Sequence, residues 1–364
     1  MPQELYLGLM SGTSLDGADA ALVAIDGQHF ELLHTHYQPY PGELRSALLA
    51  LHDAGVNELD RAARLANQLS TFYADTVHAL LLKSGTASRS VRAAACHGQT
   101  IRHQPAAGYT IQLFNPALLA ELTGITVIAD FRSRDIAAGG QGAPLVPAFH
   151  RAAFGHSQEA RVVANIGGIA NLTVLYPDGR VSGFDSGPGN ALLDGWIERH
   201  RGSRYDHNGD WAAQGKVLAG LYQRLTNHPF FDRPHPKSAG REDFNLAWLA
   251  GLLEGNEGAA DVQRTLVELT AYGIASACKR LPLEQARVFL CGGGAHNAAL
   301  RAAIQAQLPG CSLQLTDDLG IAADWVEAVA FAWLGRQCLA GEAGNIPAVT
   351  GARGPRILGA IYPA

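Results

Sequence analysis

The chain has 364 residues, 47% hydrophobic and 17% charged, which is enough apolar material for a large core and a length suited to about two domains. Its formal net charge of -5 gives no electrostatic footprint for duplex DNA or RNA, so nucleic acid is excluded as a main partner, while a few local arginines leave an anionic small molecule open. The start Met1-Pro2-Gln3-Glu4 lacks the build of a secretory signal, apolar runs such as that within 328–334 fall far short of the ~20 residues a spanning helix needs, and five scattered cysteines without a CxxC pair argue against a disulfide framework and a cysteine zinc site; a cytoplasmic protein with no membrane partner is expected.

Residues 5–10 (LYLGLM) read as a buried strand, followed by the turn SGTSLDG, a second strand at 18–26 and a third at 29–37; strand, glycine turn, strand is a hairpin signal. Helical periodicity runs through 42–54 and 58–83, where Leu59, Ala62, Ala63, Ala66, Leu69 and Tyr73 fall near one face. Strands follow at 91–96 and 109–113, then a proline-led helix from Asn115-Pro116 and a strand at 125–129 that ends at Asp130. The polar, glycine-rich stretch 130–147 predicts a long loop between two halves. The second half opens as the first does, with a strand at 161–165, the turn Ile166-Gly167-Gly168, a strand at 169–176 and a third near 181–184, a weak internal repeat. Helices are predicted at 189–200 and 211–226, a loop or lid with three prolines at 227–244, and helices at 245–254 and 259–280. A strand at 287–291 runs into Gly292-Gly293-Gly294, followed by a helix from about 297, a short strand near 313 and a helix at 325–339. Strands alternating with helices set the class as α/β.

In SGTSLDG, Gly12 and Gly17 free the backbone to present N–H groups, while Thr13 and Ser14 add hydroxyls, a concavity suited to phosphate oxygens. Asp16 suits water around Mg2+ rather than phosphate itself. An ordinary hairpin turn would carry the same residues, and this is not a Walker A loop, because the chain's Gly215-Lys216 is followed by Val217. NIGGIAN at 165–171 forms the same kind of turn in the second half; alone it is structural, and as half of a repeated pair it suggests two phosphate hairpins facing across a cleft. In GFDSGPGN, Asp185 ends a strand and offers a general base or merely a turn cap, and Asn190 is placed to cap the next helix. Gly292, Gly293 and Gly294 let a flat ring lie against backbone at a helix N-terminus. Arg132 and Arg134 suit a substrate carboxylate, or a salt bridge to Asp130 or Asp135. His34 and His36 lack a third ligand nearby, which argues against zinc; His97-Gly98-Gln99-Thr100 lines the cleft or is a packed turn; His228 and His235 read as solvated loop.

The strings GLMSGTSLDGADAALV, CHGQTIRH, ADFRSRDIAAGGQGAPLVPAFH, NIGGIANLT, GFDSGPGN, CGGGAHN and TGARGPRILGAIYP occur in this order from about residue 5 to the C-terminus, and together they resemble the anhydro-N-acetylmuramic acid kinase family of the sugar kinase/Hsp70/actin superfamily. The stretch 199–260 carries few of these strings. The resemblance implies two related α/β domains of the ribonuclease H-like type flanking a central cleft, one formed by 1–140 with about 325–364 and the other by 141–324. It implies an ATP-dependent kinase that hydrolytically opens 1,6-anhydro-N-acetylmuramic acid and phosphorylates O6 in peptidoglycan recycling, with Mg2+ bound mainly through ATP. Asp185 would be the catalytic base. Gly12, Thr13, Ser14, Leu15, Asp16, Gly17, Ala18 and Asp19, with Gly167, Gly168 and Gly292–Gly294, would bind ATP. His97, Gln99, Arg132 and Glu327 would contact the amino sugar, although Glu327 also reads as an exposed acid at a helix start. The family implies a homodimer. The same fold also serves kinases of other sugars or carboxylates and actin-like or chaperone-like ATPases.

Overall fold

The computed structural model describes residues 3–12, 14–27, 29–234, 237–240, 243–281 and 286–364; Thr13 and His235 lie outside the described residues. The chain forms two compact units, Met1–Ala153 with Trp325–Ala364, and Phe154–Asp324. The partition falls at Ala153, beyond the boundary at 140 expected from the sequence. The first unit opens with β1 (Glu4–Met10), β2 (Gly17–Asp26), β3 (His29–Pro39), α1 (Gly42–Leu49) and α2 (Glu58–Ser84). It continues through β4 (Val91–Cys96), β5 (Gln99–Gln104), β6 (Tyr109–Leu113), α3 (Pro116–Thr123), β7 (Val127–Ala129), α4 (Ser133–Ala137) and α5 (Val146–Phe154). The second unit runs β8 (Arg161–Ile166), β9 (Ile169–Leu175), β10 (Val181–Pro188), α6 (Ala191–Arg201), α7 (Ala219–Thr226), α8 (Leu246–Ala250), α9 (Ala259–Lys279), β11 (Arg287–Cys291), α10 (Ala298–Gln307) and β12 (Ser312–Leu315). The chain then returns to the first unit with α11 (Val326–Leu339), α12 (Pro347–Thr350) and β13 (Ala360–Tyr362).

The two main sheets repeat one topology. The first has the order β13-β7-β4-β1-β2-β3 and the second β10-β9-β8-β11-β12. In each, three meander strands pair antiparallel, and the first of them pairs parallel with a later strand on its other side. That is the ribonuclease H-like arrangement, and it gives the weak glycine-turn repeat a structural basis. β1 and β2 are buried along nearly their whole length, as inner strands of a covered sheet must be, while β3 alternates at the edge. Leu65, Leu69, Phe72, Tyr73, Val77 and Leu80 of α2 recur every three or four residues and enter the core beside β1 and β2.

The C-terminal return is seated by missing side chains. A Cβ on Gly8 of β1 would stand 1.8 Å from the Ala328 carbonyl oxygen of α11, and one on Gly335 of α11 would stand 2.7 Å from Ala95 Cβ of β4. Only hydrogen fits at either point, so α11 lies directly on the sheet.

Several expectations need correction. The helix at 211–226 breaks before α7, because Lys216 N–H donates to Asp261 Oδ1 (2.8 Å) and Leu218 N–H to Thr265 Oγ1 (3.0 Å) on α9 instead of continuing a helical ladder. The helix at 245–254 shrinks to the single turn of α8. The loop at 130–147 contains α4 and is stitched down by buried Asp135, whose carboxylate accepts from Gly142 N (2.8 Å), Asn345 Nδ2 (2.6 Å) and Thr350 Oγ1 (2.7 Å). In the stretch 227–244, Phe230, Phe231 and Phe244 are buried and His228 packs 4.7 Å from Phe244, so His228 is not solvated, while Asp232, Arg233 and Pro234 are exposed. Strands β5 and β13 were not foreseen. Among the described residues no helix is long and apolar enough to cross a membrane.

Gly8→Ala should destabilise the protein by at least about 2 kcal/mol, because backbone meets backbone and no flexible side chain can yield. Thermal unfolding checks this; a melting curve matching the parent's would remove the close approach from the fold's requirements.

Candidate active site

In the first unit, the turn between β1 and β2 is held from below. Gly12 O accepts from Gln99 Nε2 (3.0 Å), Leu15 O from Arg45 Nε (3.1 Å), and Asp16 O from Tyr40 N (2.9 Å) and Tyr37 Oη (3.0 Å). Leu15 sits at φ 57° with its side chain in the core, and Ala18 is fully buried, so both bear on any ligand only through backbone. Ser14 Oγ donates to the exposed Asp16 carboxylate at 2.8 Å. Among the described residues a Cβ on Gly12 would meet only Ser14 Oγ, at 3.6 Å, whereas one on Gly17 would collide with Gln38 O at 2.3 Å. Gly17 is therefore required by the hairpin, and Gly12 leaves open space above the turn.

His97 follows β4 and is buried against Phe331 of α11 at 4.9 Å between ring centroids. Its Nε2 accepts from Arg132 Nε (3.0 Å) and Nη2 (2.9 Å), which places its proton on Nδ1. Burial, and then the Arg132 charge, hold His97 well below the ordinary histidine range, so it is neutral. Arg132 also donates to Gly142 O at 2.7 Å; burial lowers its pKa to about 10, with Glu327 and Asp135 opposing. Glu327 is partly accessible at the start of α11; burial raises its pKa and Arg132 opposes the rise. The structure thus gathers His97, Arg132 and Glu327 in one place. Gln99 is spent within the protein, and Arg134 is exposed. Neither arginine forms an ion pair with Asp130 or Asp135 among the described residues.

The second unit assembles three of its motifs. The peptide after β10 folds onto the Gly167-Gly168 turn: Gly189 N–H donates to Gly168 O (3.0 Å), Asn190 N–H to Gly167 O (2.8 Å) and Ala191 N–H to Gly168 O (3.1 Å). Asn190 does not cap α6 with its side chain; Nδ2 donates to Ile166 O at 3.1 Å. The triple glycine packs on the same turn. A Cβ on Gly292 would meet Asn165 Oδ1 at 2.4 Å and one on Gly294 would meet Ile166 Cγ2 at 2.3 Å, while Gly293 has only Asn190 Nδ2, at 4.0 Å.

Asp185 lies within β10 rather than at its end, opposite Asn171, with a bulge before Gly187. Its N–H donates to Lys237 O (3.0 Å) and its Oδ2 accepts from Ala239 N–H (2.9 Å), so a strap of chain is clipped to it at both backbone and side chain. Lys237 anchors that strap through Nζ, which donates to Phe230 O (2.9 Å) and Phe231 O (3.2 Å) and lies 4.3 Å from the Phe230 ring centroid. Burial pushes the Asp185 carboxyl up to about 6 against the opposing Ala239 hydrogen bond. A carboxyl so placed is ionised at neutral pH yet basic enough to take a proton. Tyr40 and Arg45 hold the turn after β1, and Lys237 and Ala239 hold Asp185 on β10; each is far in sequence from what it holds and carries no motif of its own, so it is not legible in the sequence.

Two ribonuclease H-like sheets in tandem, each opening on a glycine turn, define the sugar kinase/Hsp70/actin class. Within it the chain belongs to the anhydro-N-acetylmuramic acid kinase family, whose family model matches residues 4–364. It is 58% identical over 361 residues to a Nitrosomonas europaea protein named anhydro-N-acetylmuramic acid kinase, covering 99% of each chain. It is 56% identical over 366 residues to a protein of the same name from Nitrosospira multiformis, covering 100% of each. Among solved structures, the activator of the 2-hydroxyisocaproyl-CoA dehydratase from Clostridium difficile aligns at a TM-score of 0.48 with 13% identity, covering 90% of this chain and 92% of that one, a likeness too distant to carry an argument.

Gly12→Val should fold, since its Cβ meets open space, and should weaken binding of a non-hydrolysable ATP analogue sharply by filling the room above the turn. Calorimetry decides it; unchanged affinity in a folded variant would take this turn out of the site.

Proposed function

We propose that this chain is an ATP-dependent kinase that adds water at C1 of 1,6-anhydro-N-acetylmuramic acid and phosphorylates O6, giving N-acetylmuramic acid 6-phosphate and ADP in peptidoglycan recycling. The family match over residues 4–364 carries this reading. Asp185 supplies the base the reaction requires. Its carboxylate takes a proton from the water whose oxygen bonds to C1; the C1–O6 bond breaks, and O6 keeps the electron pair and accepts the γ-phosphoryl group. The bridge oxygen carries no proton, so no second base on a sugar hydroxyl is needed. The Ala239 N–H on Oδ2 fixes the carboxylate's direction, and its position inside the protein keeps it basic.

ATP binding is assigned to Gly12–Asp19, Gly167, Gly168 and Gly292–Gly294. His97, Arg132 and Glu327 are assigned to the sugar. Arg132 stays charged at neutral pH and suits the lactyl carboxylate of a muramic acid, while neutral His97 orients the guanidinium. Among the described residues no three His, Cys, Asp or Glu side chains are grouped to hold a metal. The exposed Asp16 carboxylate fits Mg2+ whose ligands are mainly phosphate oxygens and water. When bound with ATP, the ion would neutralise charge developing on the phosphates. A cytoplasmic homodimer completes the reading; Cys96, Cys278, Cys311 and Cys338 are free thiols, in keeping with a reducing compartment.

Asp185→Asn should cut turnover by ~10²–10⁴-fold with ATP binding retained, because an amide cannot accept the water's proton. In the parent, kcat/KM should rise with pH through about 6 as the carboxyl ionises, and the variant should lack that limb. Near-normal turnover by the variant would place the base elsewhere. Reaction in ¹⁸O-labelled water, analysed promptly against an unlabelled-product control, should put label at C1 and none at O6 or phosphate. Label in released phosphate with unphosphorylated sugar would mean an ATPase.

A further inference from the structure

Gln99 begins β5 and is fully enclosed. Both ends of its amide are committed: Nε2 donates to Gly12 O at 3.0 Å, and Oε1 accepts from Tyr40 Oη at 3.1 Å. Beside it, Ser11 Oγ donates to Gly98 O at 3.1 Å, which leaves that oxygen to accept from Tyr73 Oη at 2.5 Å. Each phenol has one hydrogen. Tyr73 gives its hydrogen to Ser11 and Tyr40 gives its own to Gln99, so the 3.4 Å between the two phenol oxygens is packing rather than a third bond. Burial pushes both phenols up, Tyr40 to about 12, so neither donor is lost at any physiological pH.

A turn that receives an anion must present N–H groups and turn its carbonyl oxygens away. Here the Gly12, Leu15 and Asp16 carbonyls all accept from donors inside the protein. For Gly12 that donor is Gln99, since the Leu15 N–H reaches the same oxygen only at 3.4 Å. Without the amide, the Gly12 oxygen keeps the longer Leu15 N–H bond alone among the described donors, and that weaker hold lets the peptide turn the oxygen toward the ligand side, where it would repel phosphate. We infer that Gln99 is a positioning residue for the nucleotide: it draws the Gly12 carbonyl into the protein so that this oxygen does not oppose phosphate at the turn. On this inference Gln99 serves the nucleotide turn rather than the sugar contact that the resemblance implied. The inference rests on the reading of this turn as an ATP site.

The test measures affinity for a non-hydrolysable ATP analogue with Mg2+, and KM for the anhydro sugar at saturating ATP, in Gln99→Met, Gln99→Glu and Tyr40→Phe. Met keeps the length of the side chain and loses the donor; Glu keeps the shape and sets an acceptor against the Gly12 oxygen; Phe removes the hydroxyl that orients the amide. Nucleotide affinity should fall about tenfold or more in the Met variant, further in the Glu variant and less in the Phe variant, with the sugar KM unchanged. A raised sugar KM with intact nucleotide affinity would make Gln99 a sugar contact and overturn the inference. Unchanged values for both in folded variants would overturn it too. Circular dichroism checks folding; if the Gln99 variants unfold, Tyr40→Phe carries the same decision. Failure of the parent itself to bind the analogue would overturn the ATP reading, and this inference with it.

Discussion

The contact between Gly8 of β1 and the Ala328 carbonyl of α11 governs the first unit. With no Cβ between them, the helix and the sheet approach at backbone distance, and everything α11 carries is placed by that contact. Phe331 is thereby set against His97, and Glu327 comes within electrostatic reach of Arg132. The polar groups assigned to the sugar are thus drawn from the residue after β4, the loop before α4 and α11, and the close approach sets the α11 contribution. The second unit uses the same device at Gly273 of α9, where a Cβ would stand 2.7 Å from the Ser186 carbonyl, next to Asp185.

Burial rather than ion pairing sets the charge states in both units. His97 is neutral because it is enclosed beside a cation, and Asp185 is a stronger base than an exposed aspartate because its charged form is poorly solvated. Neither depends on a flexible surface salt bridge, so the protonation pattern is built into the packing. Asp135 is the complementary case. Three donors on its buried carboxylate tie the glycine-rich loop to residues 345 and 350, and the loop becomes part of the scaffold.

The sequence showed the architecture well where apolar periodicity or glycine turns announced it. Strands β1, β2, β4, β8, β9 and β11 and the helices α2, α9 and α11 were legible in this way. It misled where a long-range hydrogen bond outweighed a local pattern, as at Lys216 and Leu218, whose N–H groups bond to α9. Short β5 and β13 carry no signal, because their stability comes from partners such as β6 and β7. Site motifs were legible as turns, but their supports were not. Gln99 stands out by its motif, yet nothing in HGQT says that Gly12 and Tyr40 lie on either side of its amide. Asn190 reads as a cap because Asn before a helix often is one, yet its backbone is already helical and its amide donates to the Ile166 carbonyl.

The second unit is one continuous stretch of chain, whereas the first is written at both ends, with β13 at residues 360–362 completing its sheet. This imposes an order on biosynthesis. A ribosome delivers all of 154–324 before it delivers α11, so the second unit can mature while the nascent N-terminal portion still lacks its covering helix. The bare surface around Gly8 and Ala95 must wait until α11 is delivered, and for that interval it exposes apolar surface. Loss of residues 325–364 would therefore damage the unit that β1 opens, and leave the continuous stretch 154–324 intact.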